Sequence, residues 1–254
     1  MRKSILLYLF LNLLLACGET TSQKDNQKNQ PATPQKIKVL DIKKSEIPKS
    51  IEIKGELLLS KKWTDQNGEN ILVLSRKGPM QETEFEIEFS GDERYAELYA
   101  EQYTNKENQF TLLWDIYDFE RHCPFDLWIG PLPNSTAITD LDNDGITETT
   151  IAYKLSCRSD VSPSFMKLIM HENDIKMALR GTMILDMDKD KIKDNYEYDL
   201  SKVDTSGLSE YDQYEALFGR YANEIEFQNQ PNEFLNFAKA SWKQLVDKDK
   251  FDQF

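Results

Sequence analysis

From Ile37 onward, apolar side chains recur mostly at every second position. A period of two is the pattern of a half-buried strand, and it restricts the chain to sheets with one dry face. The clearest case is Glu82-Thr83-Glu84-Phe85-Glu86-Ile87-Glu88-Phe89, where Phe85, Ile87 and Phe89 alternate with glutamates. Residues 50–59 and 70–75 have the same character, and Asp65-Gln66-Asn67-Gly68 between them is a hairpin signal. Residues 96–103 and 110–119 flank Asn105-Lys106-Glu107-Asn108, which predicts a second hairpin. Residues 165–172 and 175–184 flank Asn173-Asp174, which predicts a third, and residues 147–155 make a further strand. One helix is well signalled: Pro231-Asn232 opens it, and Phe234, Phe237, Ala238, Trp242 and Leu245 then share a face. Residues 210–222 are expected to form another, with Tyr211, Tyr214, Leu217 and Tyr221 on one side. The expected fold is mainly β (α+β): antiparallel strands and hairpins with a C-terminal amphipathic helix packed on the sheet. Residues 37–254 are read as a single β-rich domain.

The first residues read differently. Arg2 and Lys3 precede an apolar run over residues 5–16. That run is shorter than the roughly 20 apolar residues that cross a bilayer, and it has the layout of a signal peptide. Its end, Leu14-Leu15-Ala16-Cys17, resembles the lipobox of bacterial lipoproteins. The resemblance implies that residues 1–16 are removed and that Cys17 carries diacylglycerol, with palmitate-type acyl chains. The alternative is an ordinary secretory signal with an accidental cysteine. Each buried CH₂ of such chains contributes roughly 0.8 kcal/mol, so two or three chains hold firmly. Gly18, rather than an aspartate, follows the cysteine, which favours the outer membrane, facing either periplasm or surface. Residues 17–36 hold no apolar side chain larger than alanine beyond Cys17, so a disordered tether is expected there.

The formal charge is −13, and loss of Arg2 and Lys3 makes the mature chain more acidic still. That balance argues against nucleic acid, anionic lipid or anionic glycan as main partners, and is compatible with divalent cations. With Cys17 assigned to lipid, Cys123 and Cys157 remain as a pair in an oxidising compartment, where a disulfide is expected. Two buried free thiols are the alternative, since sequence does not show how close the Cα atoms come.

The sharpest motif is Asp140-Leu141-Asp142-Asn143-Asp144-Gly145-Ile146-Thr147-Glu148. Carboxylates at alternate positions can converge on one hard cation, glycine at the sixth position permits a sharp turn, and the Ile146 carbonyl supplies another oxygen. The pattern departs from the EF-hand, whose twelfth position is a glutamate and here is Ile151. With an acid at the ninth position, Glu148, it resembles the strand–loop–strand calcium loops of integrin-type propeller blades. Asp140, Asp142, Asp144, Ile146 and Glu148 are therefore the expected calcium ligands, against the simpler reading of a solvated acidic turn. The run Asp186-Met187-Asp188-Lys189-Asp190 has similar spacing, but Lys191 stands at the glycine position and lysines compete for the carboxylates, so a solvated turn is favoured.

Catalytic signals are thin. There are two histidines, His122 and His171, and neither has a defined partner in sequence. No Gly-x-Ser-x-Gly, His-Glu-x-x-His or phosphate-cradling glycine loop occurs. Residues 157–164 read as a specialised loop in which Arg158 and Asp160 are candidate functional residues, or else pair with each other or cap a turn. Trp63, Trp114, Tyr117 and Trp128 are candidates for a sugar platform, with core packing the better expectation.

Several segments, in order, carry a wider likeness. They are Trp63-Thr64-Asp65, Gly68-Glu69-Asn70, Ala96-Glu97-Leu98-Tyr99, Trp114-Asp115-Ile116-Tyr117-Asp118, Cys123-Pro124-Phe125-Asp126, the acidic loop, residues 157–164, residues 166–172 with Arg180-Gly181, and Phe234 to Trp242. Over residues 50–245 the chain resembles a family of bacterial surface proteins labelled surface polysaccharide biosynthesis protein. The resemblance implies a role in making or displaying surface glycan, with polysaccharide or envelope proteins as partners, and brings no catalytic residues. Two readings follow: a non-catalytic, calcium-stabilised envelope lipoprotein, or a metal-dependent enzyme acting on cell-envelope glycan.

Overall fold

Ten strands and two short α-helices order themselves around two antiparallel sheets in the computed structural model, which describes residues 37–83, 93–252 and 254. The signal peptide, Cys17, the tether and the alternating residues 84–89 lie outside the described residues. Glu82 and Thr83, which are described, are not in a strand.

The first sheet is a meander of β1 (Leu40–Asp41), β2 (Glu56–Asp65), β3 (Gly68–Gln81), β4 (Arg94–Lys106) and β5 (Gln109–Cys123), in that order. The second has the order β10-β9-β8-β6, from β6 (Asp126–Pro131), β8 (Glu148–Arg158), β9 (Phe165–Glu172) and β10 (Ile175–Thr182), and β7 (Ala137–Thr139) also pairs with β8. The three predicted hairpins are present as β2–β3, β4–β5 and β9–β10. Their turns use the expected residues: Glu107, Asn108 and Asn173 take positive φ, the conformation a tight hairpin turn requires.

Alternation along the strands builds a core on each face of the second sheet. Trp63, Leu72, Leu98, Ile116, Ile129 and Tyr153 fill the space between the sheets. Their neighbours on the opposite face of the second sheet, Met166, Leu168, Met170 and Leu179, meet α2 (Asn232–Leu245) through Phe234, Ala238 and Trp242. The result is sheet, sheet, helix, with the predicted amphipathic helix packed on the second sheet. A disulfide joins Cys123 at the end of β5 to Cys157 in β8, with Cα atoms 5.5 Å apart. It links the two sheets and closes a loop of 34 residues.

Two expectations change. Residues 50–55 are not strand, although Ile51 is buried against Ile71 and Val73. The helix expected over 210–222 is only α1 (Glu210–Glu215), and Tyr211 and Tyr214 on it are exposed. Gly219 adopts positive φ and Tyr221 forms an isolated bridge with Gly181 of β10, so the chain leaves the helix to cover that sheet edge. Gly181 has no room for a side chain there, because a Cβ would lie 1.9 Å from the Arg220 carbonyl.

Candidate metal centre in the acidic loop

The loop between β7 and β8 is shaped by its own carboxylates. Asp142 Oδ1 accepts from the Asp144 N–H at 3.2 Å, and Asp144 Oδ1 accepts from the Ile146 N–H at 2.7 Å. Asn143 and Gly145 take positive φ, which allows the reversal. Glu148, fully buried at the first position of β8, accepts from Thr139 Oγ1 at 2.8 Å and from the Leu141 N–H at 3.0 Å.

The β2–β3 turn clamps the loop from outside. Gln66 donates its N–H to the Gly145 carbonyl at 2.9 Å and its side-chain amide to the Asp144 carbonyl at 2.7 Å. Asp65 Oδ2 accepts from the Thr147 hydroxyl at 2.6 Å and from its N–H at 3.2 Å. Trp63 Nε1 donates to the same hydroxyl at 2.8 Å. Asn67 donates to Asn173 in the β9–β10 turn at 2.7 Å, so both hairpin ends converge on the loop.

Carboxylate oxygens form two groups, each within 4.8 Å: Asp140 with Asp142 and Glu148, and Asp142 with Asp144 and Glu172. The expected ligands Asp140, Asp142, Asp144 and Glu148 are thus gathered at one place, divided between two groups that share Asp142. Ile146 lies in the same turn, held by its N–H. Glu172 comes from β9, directly opposite Glu148 in the ladder. Like charges facing each other across two strands are destabilising unless something neutralises them. Burial pushes Glu148 up to about 7. Burial, with Asp144, Asp142 and Asp140 nearby, pushes Glu172 up to about 7 as well. Burial raises Asp142 too. Asp140 Oδ1 and Glu172 Oε1 are buried and accept no hydrogen bond. Buried acceptors and half-neutralised acids are the donor set a hard cation satisfies, and this acidic group can hold a metal ion.

The other candidates separate. Arg158 does not pair with Asp160. Its guanidinium donates to Asp249 Oδ2 at 2.9 Å, while exposed Asp160 accepts from the Ser162 N–H at 2.8 Å and caps that turn. His171 stacks on Trp114 with centroids 4.2 Å apart, and burial, with Lys176 nearby, pushes it down to about 4. Trp63 and Trp114 are core residues, whereas Tyr117 is exposed. Along the second acidic run, Lys189 pairs with Asp186 at 2.5 Å and Lys191 with Asp188 at 3.0 Å. The residues that sequence reasoning missed, Asp65, Gln66, Thr147 and Glu172, owe their places to strand register and hairpin docking. The β8–β9 register, once drawn, places Glu172 beside Glu148.

These features define a class, a two-sheet antiparallel protein with a hairpin-clamped acidic loop. No protein-family model, no curated protein and no solved structure matches the chain.

Proposed function

We propose that the chain is a cell-envelope lipoprotein, anchored through Cys17 and lying at the outer membrane. In this reading it binds calcium at the acidic loop and takes part, without catalysis, in the biosynthesis or display of surface polysaccharide. The observation that carries the cation part is the convergence of Asp140, Asp142, Asp144, Glu148 and Glu172 with two buried carboxylate oxygens lacking hydrogen bonds. An all-oxygen set of carboxylates, with the Ile146 carbonyl available, suits calcium, which takes 6–8 oxygens in flexible geometry. The anchor rests on Arg2, Lys3, the apolar run and Leu14-Leu15-Ala16-Cys17. The glycan link rests on the resemblance over residues 50–245. The enzymatic alternative has less support: His171 stacks in the core and Asp160 caps an exposed turn, so neither is offered as an acid–base group at the loop.

The test is calcium titration of metal-free protein, followed by melting temperature. A rise is expected that Asp142→Ala abolishes. No shift at millimolar calcium rejects the reading, and a shift that survives Asp142→Ala places the ion elsewhere. Fatty-acid labelling lost in Cys17→Ser checks the anchor. Deletion of the gene with unchanged surface glycan removes the polysaccharide role.

A further inference from the structure

Beyond α2, residues 249–252 and Phe254 lie over the face of the second sheet formed by β6 and the end of β8. The helix, with Met183, Tyr221 and Phe227, packs on the rest of that face. Lys154 and Arg158, four apart on β8, both point to this side and are almost fully buried. Arg158 donates to both oxygens of Asp249, at 2.9 and 3.2 Å, and to the Lys250 carbonyl at 2.8 Å. Lys154 Nζ lies 3.1 Å from Asp249, 2.9 Å from Asp252, and also donates to the Lys250 carbonyl. Ser164 donates its N–H and its hydroxyl to Asp249 at 2.8 and 3.0 Å.

Aromatic rings continue the pattern. The Arg158 guanidinium lies on the Phe251 ring, 4.1 Å from the ring centroid. The Arg76 guanidinium sits 4.8 Å from the Trp128 ring and 4.4 Å from the Phe254 ring. Trp128 and Phe254 approach each other at 5.4 Å. Asp249 and Asp252 of the segment therefore meet Lys154 and Arg158 of β8, while Phe251 and Phe254 meet Arg158, Arg76 of β3 and Trp128 of β6.

We infer that the β6–β8 face is a docking groove for an acidic–aromatic peptide segment, filled in this structure by the chain's own residues 249–252 and Phe254. Three observations carry it. Recognition is by side chains and by one carbonyl, with no strand ladder joining the segment to the sheet. Lys154 and Arg158, once buried, demand an anion, and among the described residues Asp249 and Asp252 are the carboxylates that pair with them. Two polar atoms on this face, Trp128 Nε1 and Ser156 Oγ, find no partner, so the chain's own segment does not exhaust the groove. The inference is independent of the cation site, which lies at the other end of β8.

The experiment uses the full chain with a specific protease site between Asp247 and Lys248, folded and then cut. The released segment is removed by gel filtration. A fluorescein-labelled peptide of residues 248–254 is then added and followed by anisotropy. Saturable binding is expected, at least tenfold weaker for peptides carrying Asp249→Asn or Phe251→Ala with Phe254→Ala. Uncut chain, whose groove is full, should bind at least tenfold more weakly than cut chain. No saturable binding, or equal binding of the substituted peptides, overturns the groove. Loss of the cooperative melting transition on cutting also overturns it, because the segment would then be part of the core.

Discussion

The two ends of β8 bury charge in opposite ways. At its start, Glu148 stands opposite Glu172, with Asp140, Asp142 and Asp144 close by, and among the described residues no lysine or arginine pairs with any of the five. At its end, Lys154 and Arg158 enclose Asp249. Burial pushes both groups of acids up. At the first end the hydrogen bonds that Thr139 and the Leu141 N–H donate to Glu148 offset it only in part, and Glu148 and Glu172 rise to about 7. At the second, hydrogen bonds from Arg158 and the Ser164 N–H, with Lys154, outweigh burial and hold Asp249 below the usual carboxylate range. Burial alone therefore does not set the behaviour of a carboxylate. The partner does: at one end Lys154 and Arg158 already pair the acid, and the other can hold a cation from outside.

The largest test of this contrast is Asp249→Ala. It strands Lys154 and Arg158 in the interior and should cost about 3–5 kcal/mol, read by chemical denaturation. Glu148→Gln should do the reverse in metal-free protein. It removes an uncompensated buried acid and should stabilise by about 1–3 kcal/mol at pH 8, while abolishing the calcium response. If Glu148→Gln destabilises metal-free protein as Asp249→Ala does, the two ends are not opposite.

The pH dependence separates them next. Glu148 and Glu172 have folded values raised above their unfolded ones. Their contribution is fully present below about pH 4.5 and is lost as pH rises through about 7. Asp249 is depressed, so its contribution is present above about pH 4 and is lost as pH falls through its folded value. His171, pushed down to about 4, loses stability as pH falls from about 6.5 to about 4 and opposes the glutamates. The glutamate effect is therefore read as the difference between the parent chain and Glu148→Gln, measured with chelator by melting from pH 4 to 8. Saturating calcium should flatten that difference. The smallest effect is expected for Asp160→Ala, less than about 0.5 kcal/mol, since that exposed carboxylate only caps the Ser162 turn. A cost comparable to that of Asp249→Ala would return Asp160 to the buried network.

Much of the architecture was legible because periodicity and turn chemistry are local. The period of two marked residues 96–103, 110–119 and 165–172 as strands, and β4, β5 and β9 lie there. Asn105 to Asn108 and Asn173-Asp174 announced their hairpins, and Phe234 to Leu245 announced α2. The shortened α1 was not legible, because its tyrosines and Leu217 have helical spacing without a core to face. What ended it was Tyr221 bridging to Gly181, a pairing 40 residues distant. The same limit applies at the sites. Asp140, Asp142, Asp144 and Glu148 follow one another in sequence and were readable as a set. Glu172 is 24 residues further on, and Asp249 is 91 residues from Arg158. Of the two local roles open to Asp160, pairing with Arg158 or capping a turn, it takes the second.

The sequence by itself determined a mainly β chain with an acidic loop, a pair of cysteines available for bridging and an amphipathic helix near its end. These depend on neighbours within a few residues, where spacing dictates geometry. Only the tertiary structure decided which carboxylates are left without a cation and which are enclosed by two. That depends on register between β8 and β9 and on the path taken after α2. Electrostatic energy in a buried site follows distance in space, and folding brings together charges that the chain keeps far apart.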